Sequence, residues 1–122
     1  MTIQPMVVQG DIWRADLGQP VGSVPGYRRP VVIGQGGLLN GSRINTVICI
    51  PLTSNLDWEA IPTCLRLPAK ATGLDRGLVA QAWQIMAADR SQLIEPVGRI
   101  SARQLVQLLA KLDTALGRSG TS

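Results

Sequence analysis

The chain of 122 residues contains no histidine. That absence removes His-based acid–base pairs, Ser-His-Asp triads and Cys-His dyads from the chemistry open to it. Cysteine is nearly absent too. Cys49 and Cys64 lack CxxC spacing and have no histidine co-ligands, so they assemble no zinc site, and no metal is expected. Both lie in apolar, strand-like runs, where a free cysteine acts as a small core hydrophobe; a disulfide or a reactive thiol is the alternative. Phenylalanine is missing, and Trp13, Tyr27, Trp58 and Trp83 are the whole aromatic complement, so the core must be built from Val, Ile, Leu and Ala. No apolar run approaches a membrane span, and no membrane partner is expected. The opening "MTIQPMVVQG" has neither a basic n-region nor a continuous apolar h-region, and a cytoplasmic protein is expected.

What is present fits one domain with a single real core. Hydrophobic residues make up 45%, enough for a globular fold. The formal net charge is +4, and ten of the 12 basic residues are arginine. A guanidinium grips phosphate with a planar fork, so this bias hints at an anionic partner.

Along the chain, "DIWRADL" (11–17) alternates as a half-buried strand should. "GQPVGSVPGY" (18–27) is a loop, long for a hairpin connection. "RPVVIG" (29–34) reads as a short apolar strand. "GQGGLLNGS" (34–42) fails the G-x-G-x-x-G pattern and reads as a turn-rich connection with Asn40-Gly41 at its tip. "NTVICIPLT" (45–53) is the most continuous apolar run and predicts a central strand buried on both faces. "TCLRLPA" (63–69) alternates, "GLVAQAWQIMAADR" (77–90) starts as a strand and ends at a turn near Asp89, and "EPVGRI" (95–100) is a final strand. Five or six short strands indicate a small barrel or sandwich. In "SARQLVQLLAKLDTALG", Leu105, Leu108, Leu109, Leu112 and Leu116 form one helical stripe, Ser101 and Gln104 make a capping box, and Gly117 supplies the stop. Residues 10–117 thus form the domain, preceded by an extension (1–9) and followed by a tail (118–122) that should fray.

Two features exceed what folding needs. Arg28 and Arg29 stand at the mouth of a strand, directly before Pro30, and a second strand runs out into Thr53 and Ser54. By composition alone Arg29 is a solvated charge, and Thr53 an ST-turn at a strand end.

"GDIW" (10–13), "RRPVVIG" (28–34), "TVICIPLTS" (46–54), "GL" (73–74), Gln84 before Ile85, "DRSQL" (89–93) and "GRIS" (98–101) stand in the order of the MazF/PemK toxin family, which the chain resembles from about Gly10 to Gly117. The resemblance implies a mostly β fold with a C-terminal α-helix, an SH3-like small barrel of the MazF/CcdB-like toxin type, and a homodimer. It also implies a metal-independent, cofactor-free endoribonuclease that cuts single-stranded RNA at short motifs. Such enzymes leave 2′,3′-cyclic phosphate and 5′-OH ends, and a MazE-like cognate antitoxin neutralises them with an acidic tail.

On that reading Arg29 and Thr53 are catalytic, and Tyr27, Arg28, Ser54 and Gln84 contact RNA. Ser54, on the opposite pleat if the strand persists, is the lesser contact. Gln84 either reaches a base edge or closes a strand, and Trp58 and Trp83 are packing or dimer residues rather than RNA stackers. RNA brings its own nucleophile, the 2′-OH, so a fixed guanidinium and a neighbouring hydroxyl can do much of the work without histidine. Relatives often carry an acid in the loop before the arginine; here "GSVPGYRRP" has neither Asp nor Glu, which leaves the proton acceptor open. Two alternatives stand beside this reading: a CcdB-like non-enzymatic gyrase inhibitor, although "GRSGTS" offers no aromatic terminal motif, and a catalytically silent RNA- or protein-binding barrel.

Overall fold

In the computed structural model, which describes residues 6–118, strand β1 spans Asp11–Asp16 and pairs antiparallel with β2, Arg28–Ile33. A one-turn helix α1, Gly37–Asn40, leads to β3, Thr46–Thr53. A 3-10 turn at Leu56–Ala60 precedes β4 (Cys64–Leu67), and helix α2 (Ala69–Thr72) precedes β5 (Leu78–Gln81). β6 (Met86–Asp89), β7 (Leu93–Arg99) and helix α3 (Ala102–Ala115) complete the chain. The strands form one antiparallel sheet in the order β4-β5-β3-β2-β1-β7, with β6 also pairing β3. This is the expected mostly β, barrel-like fold with a terminal helix, although the sheet does not close into a ring.

The pleat divides the core in two. Trp13, Ala15, Val31, Ile33, Val47 and Cys49 bury on one face, against Leu93 and Ala88. Ile12, Val32, Ile50 and Leu52 bury on the other, with Leu67, Leu78 and Leu108 of α3. β1 is therefore buried on both faces around Ile12 and Trp13, beyond the half-burial that its alternation predicts. Both cysteines are free and buried, as expected of core hydrophobes. Val7, within the expected extension, also packs into the core; Met1–Pro5 and residues 119–122 of the expected tail lie outside the described residues.

Four expectations need correction. Residues 34–42 are not turns alone, because α1 forms at their centre. β3 is buried on both faces only from Cys49 to Leu52; Thr46 is exposed and Ile48 is 37% exposed. The segment 77–90 is two strands, because a 3-10 turn at Ala82–Gln84 breaks it. β5 then pairs with the C-terminal end of β3 and β6 with its N-terminal half. In α3 the Ser101–Gln104 capping box forms and Gly117 takes a φ of 72°, a left-handed conformation that glycine adopts without a Cβ penalty. The leucine stripe, however, ends in solvent at Leu116.

Candidate active site

Pro30 disfavours helical geometry at the preceding residue, so Arg29 enters the sheet extended. The β2–β3 register pairs Val31 with Pro51; continued two residues to the strand ends, it brings Arg29 level with Thr53, and both line the same hollows. On the other side of β3, Thr53 lies opposite Val79. Directly opposed residues project from the same face, so Arg29 and Thr53 share a face at the open end of the sheet.

Two hollows adjoin there. The first, about 440 Å³, is walled by Arg14, Arg28, Ser54, Asp75 and Arg76. The second, about 380 Å³, is walled by the loop Pro20–Tyr27 with Trp58, Gln81 and Gln84. Arg29 and Thr53 line both. All six residues singled out from the sequence thus meet around one place: Arg28 and Ser54 on the first side, Tyr27 and Gln84 on the second, Arg29 and Thr53 between. β3 ends at Thr53, so the condition under which Ser54 would lie on the opposite pleat is not met, and Ser54 lines the first hollow from beyond the strand.

The electrostatics single out Arg29. Arg14 is paired with Glu95 at 2.6 Å, Arg28 with Asp16 at 3.7 Å and Arg76 with Asp75 at 3.7 Å. Among the described residues Arg29 has no acid partner; its Nε donates to the Gly26 carbonyl at 3.1 Å, which leaves its terminal nitrogens for a ligand. Partial burial lowers its pKa from the ordinary arginine value. A half-desolvated, unpaired cation gains more from an incoming anion than a solvated one does. Thr53 Oγ1 accepts from the Asn55 N–H at 3.2 Å, the ST-turn of the plainer reading. That bond occupies a lone pair and leaves the hydroxyl proton free to donate.

The loop before Arg29 is braced. Leu17 N–H donates to the Tyr27 carbonyl at 2.9 Å, and Tyr27 N–H donates to Gly18 at 2.5 Å. Tyr27 holds a φ of 59°, an uncommon left-handed conformation for a side chain of its size.

Three further residues line the hollows: Asp75 and Gln81, not singled out from the sequence, and Trp58, read there as a packing residue. Asp75 brings a carboxylate to the first hollow from the segment 68–76, remote from the acid-free loop where one was sought. Gln81 is buried at 6% exposure in the wall of the second hollow, and its Oε1 has no hydrogen-bond partner. Trp58 lines that hollow while packing against Trp83, with ring centroids 5.3 Å apart. Alternating burial would flag Gln81 as an odd polar residue in a strand, but nothing in the sequence brings Asp75 to the hollow that Arg29 lines. Among the described residues no cluster of His, Cys, Asp or Glu could hold a metal ion, and no helix is long and apolar enough to cross a membrane.

Comparison with known proteins shows the family and the fold. Residues 8–116 match the family described as PemK-like, MazF-like toxin of type II toxin-antitoxin system. Endoribonuclease MazF6 of Mycobacterium tuberculosis is 36% identical over 113 residues, covering 93% of this chain and 96% of the relative. Endoribonuclease MazF of Staphylococcus epidermidis is 33% identical, covering 92% of each. Among solved structures, MazF from Deinococcus radiodurans superposes with a TM-score of 0.78 at 24% identity, over 93% of this chain and 98% of that one. A MazE-MazF structure from the same organism gives 0.74 at 25% identity, over 94% and 99%.

Proposed function

Because the chain belongs to the PemK/MazF toxin family of type II toxin–antitoxin systems, we propose that it is a sequence-specific, metal-independent endoribonuclease that cuts single-stranded RNA and is neutralised by a cognate antitoxin. The observation that carries this reading is the unpaired Arg29 guanidinium beside Thr53 at the junction of two hollows, the first of them lined also by Arg14, Arg28 and Arg76.

The scissile phosphate lies between Arg29 and Thr53. The 2′-oxygen attacks phosphorus, the 2′-O–P bond forms as the P–O5′ bond breaks, and the products are a 2′,3′-cyclic phosphate and a 5′-hydroxyl. The terminal nitrogens of Arg29 donate to the non-bridging oxygens, where charge builds in the transition state. The Thr53 hydroxyl donates to the same phosphate and holds the 2′-OH in line. The proton of the 2′-OH passes to Asp75, the one carboxylate lining the first hollow, and a water protonates the departing 5′-oxygen. Arg28, Tyr27, Ser54 and Gln84 contact the strand on either side.

The antitoxin lays an acidic segment over Arg28 and Arg29 and competes with the RNA backbone. A homodimer belongs to the same proposal: exposed apolar side chains such as Leu56, Ile61 and Trp83 need a covering surface. Sedimentation at micromolar concentration should give twice the 13.0 kDa chain mass.

The test is cleavage of a long single-stranded RNA in excess EDTA with chemical mapping of the ends. Cyclic phosphate ends, with a rate roughly 10²–10³ lower in Arg29→Ala, support the mechanism. Asp75→Asn should slow cleavage; an unchanged rate returns that role to water. Salt-sensitive RNA binding without cutting identifies a silent barrel instead, and retention of DNA gyrase without either identifies a CcdB-like poison.

A further inference from the structure

We infer that the second hollow is a nucleobase pocket in which Gln81 determines specificity, accepting an N–H from the base that flanks the cut; this rests on the endoribonuclease reading. Gln81 follows Val79 by two on β5, so it projects from the same face as Thr53 and stands diagonal to it across the β3–β5 pair. It is buried at 6% exposure, yet its Oε1 meets no donor. A buried polar atom left unpaired lowers stability, and such groups in native proteins call for an explanation. A ligand that supplies the missing donor is one explanation: Gln81 walls an open hollow, and a turn of its side chain brings the buried Oε1 to a group held there.

The surroundings suit a base. Trp58 offers an aromatic face on the same hollow and is backed by Trp83, which leaves its ring less free to turn. Arg29 and Thr53 form the shared wall, so a phosphate held between them places a neighbouring base in this hollow. An amide presents an acceptor and a donor side by side, which matches a base edge that sets a donor next to an acceptor. The placement of that pair differs from base to base, so the pocket selects by it at one position beside the cut. A site built around a hydrogen bond rejects partners that lack it, because its own polar group is then left unpaired.

The experiment compares wild type, Gln81→Met (similar in volume, no acceptor) and Gln81→Glu (acceptor kept, donor lost) on a mixed-sequence RNA, with the 5′-OH ends sequenced. Wild type should prefer one base over the others at one flanking nucleotide. Gln81→Met should lose about tenfold or more of that preference at that position alone while still cutting. Its melting temperature should match or exceed that of wild type, because the orphaned acceptor is gone. Unchanged preference in Gln81→Met, or equal relaxation at every position, overturns the inference. If wild type cuts no RNA, the endoribonuclease reading fails separately, and titration of labelled oligo(A), oligo(C), oligo(U) and oligo(G) decides the pocket. Discrimination lost in Gln81→Met upholds it, and discrimination that is absent or unaltered sinks it. Should Gln81→Met not fold, the same comparison is read from Gln81→Glu, which must show altered discrimination confined to the same position.

Discussion

Gly26 touches no RNA in the proposed mechanism, yet its replacement by alanine should nearly silence the enzyme. A Cβ built there would stand 2.5 Å from the Pro20 nitrogen, 2.6 Å from its Cα and 2.7 Å from its Cβ. Ordinary carbon contacts lie at about 3.5–4.0 Å, so one side of the loop must retreat by about 1 Å. The loop's base cannot give freely, because Leu17 and Tyr27 are tied across it and Tyr27 is already left-handed. The displacement falls on Gly26, whose carbonyl holds Arg29 Nε. Overpacking of this kind costs about 1–3 kcal/mol in stability. A shift of about 1 Å at the group that meets the phosphate costs on the order of 10²-fold in rate. Gly22→Ala is the control. Its φ of 57° makes alanine costly by about 1 kcal/mol, but the added methyl meets nothing within 4 Å and no bond to Arg29 is disturbed. Single-turnover cleavage of one RNA, with thermal melts of both variants, separates the two effects. Wild-type cutting by Gly26→Ala, or equal slowing by Gly22→Ala, would refute the argument that this loop aims the guanidinium.

Other outcomes test the scaffold. Arg90 is buried and spends its guanidinium on the Ile44 carbonyl at 2.7 Å and the Asn40 carbonyl at 3.3 Å. Arg90→Met should cost about 2–3 kcal/mol and lower the melting temperature by on the order of 10 °C, with base preference unchanged, read by calorimetry and end mapping. Burial pushes the Cys49 thiol up to about 12, so above about pH 8.5 the unfolded chain loses a proton that the native state keeps. Stability should therefore fall as pH rises from about 8.5 towards 12, and Cys49→Ala should flatten that decline in urea midpoints measured from about pH 8 to 11. Ser101→Ala removes an N-cap whose Oγ accepts from Gln104 N–H at 3.0 Å, and should cost about 1 kcal/mol in the same assay.

The parts of the fold legible in the sequence are those fixed by short-range chemistry. The α3 capping box, its leucine spacing and its terminal glycine are all local, and each forms. Where tertiary pairing decides, local pattern falls short. "LVAQAWQIMAAD" reads as one strand because nothing in its hydropathy marks the 3-10 turn at Ala82–Gln84; that turn exists because β3 is long enough to offer one edge to two partners. The same distinction runs through the site. Pro30 and the end of the apolar run announce Arg29 and Thr53, since both signals lie next to the residues they position. That the two face each other follows from a register between strands some twenty residues apart in sequence. Gln81 and Asp75 were hidden for the same reason, because each arrives through a pairing or a loop path and not through its neighbours.

The strand ends make sense of this division. Arg28 and Ser54 line one hollow and Tyr27 the other, and Arg29 and Thr53, at the ends of β2 and β3, line both. A backbone running over that edge would present its phosphate to the two central residues and its bases to the hollows at either side. The arrangement needs no third catalytic strand, and it ties placement of the cut and reading of sequence to one strand register. Slipping β2 by one residue against β3 would exchange Arg28 for Arg29 at the edge and turn the guanidinium to the opposite face. The apolar alternation of Val31, Val32 and Ile33, buried on both faces, is therefore as much a determinant of the site as the arginine itself.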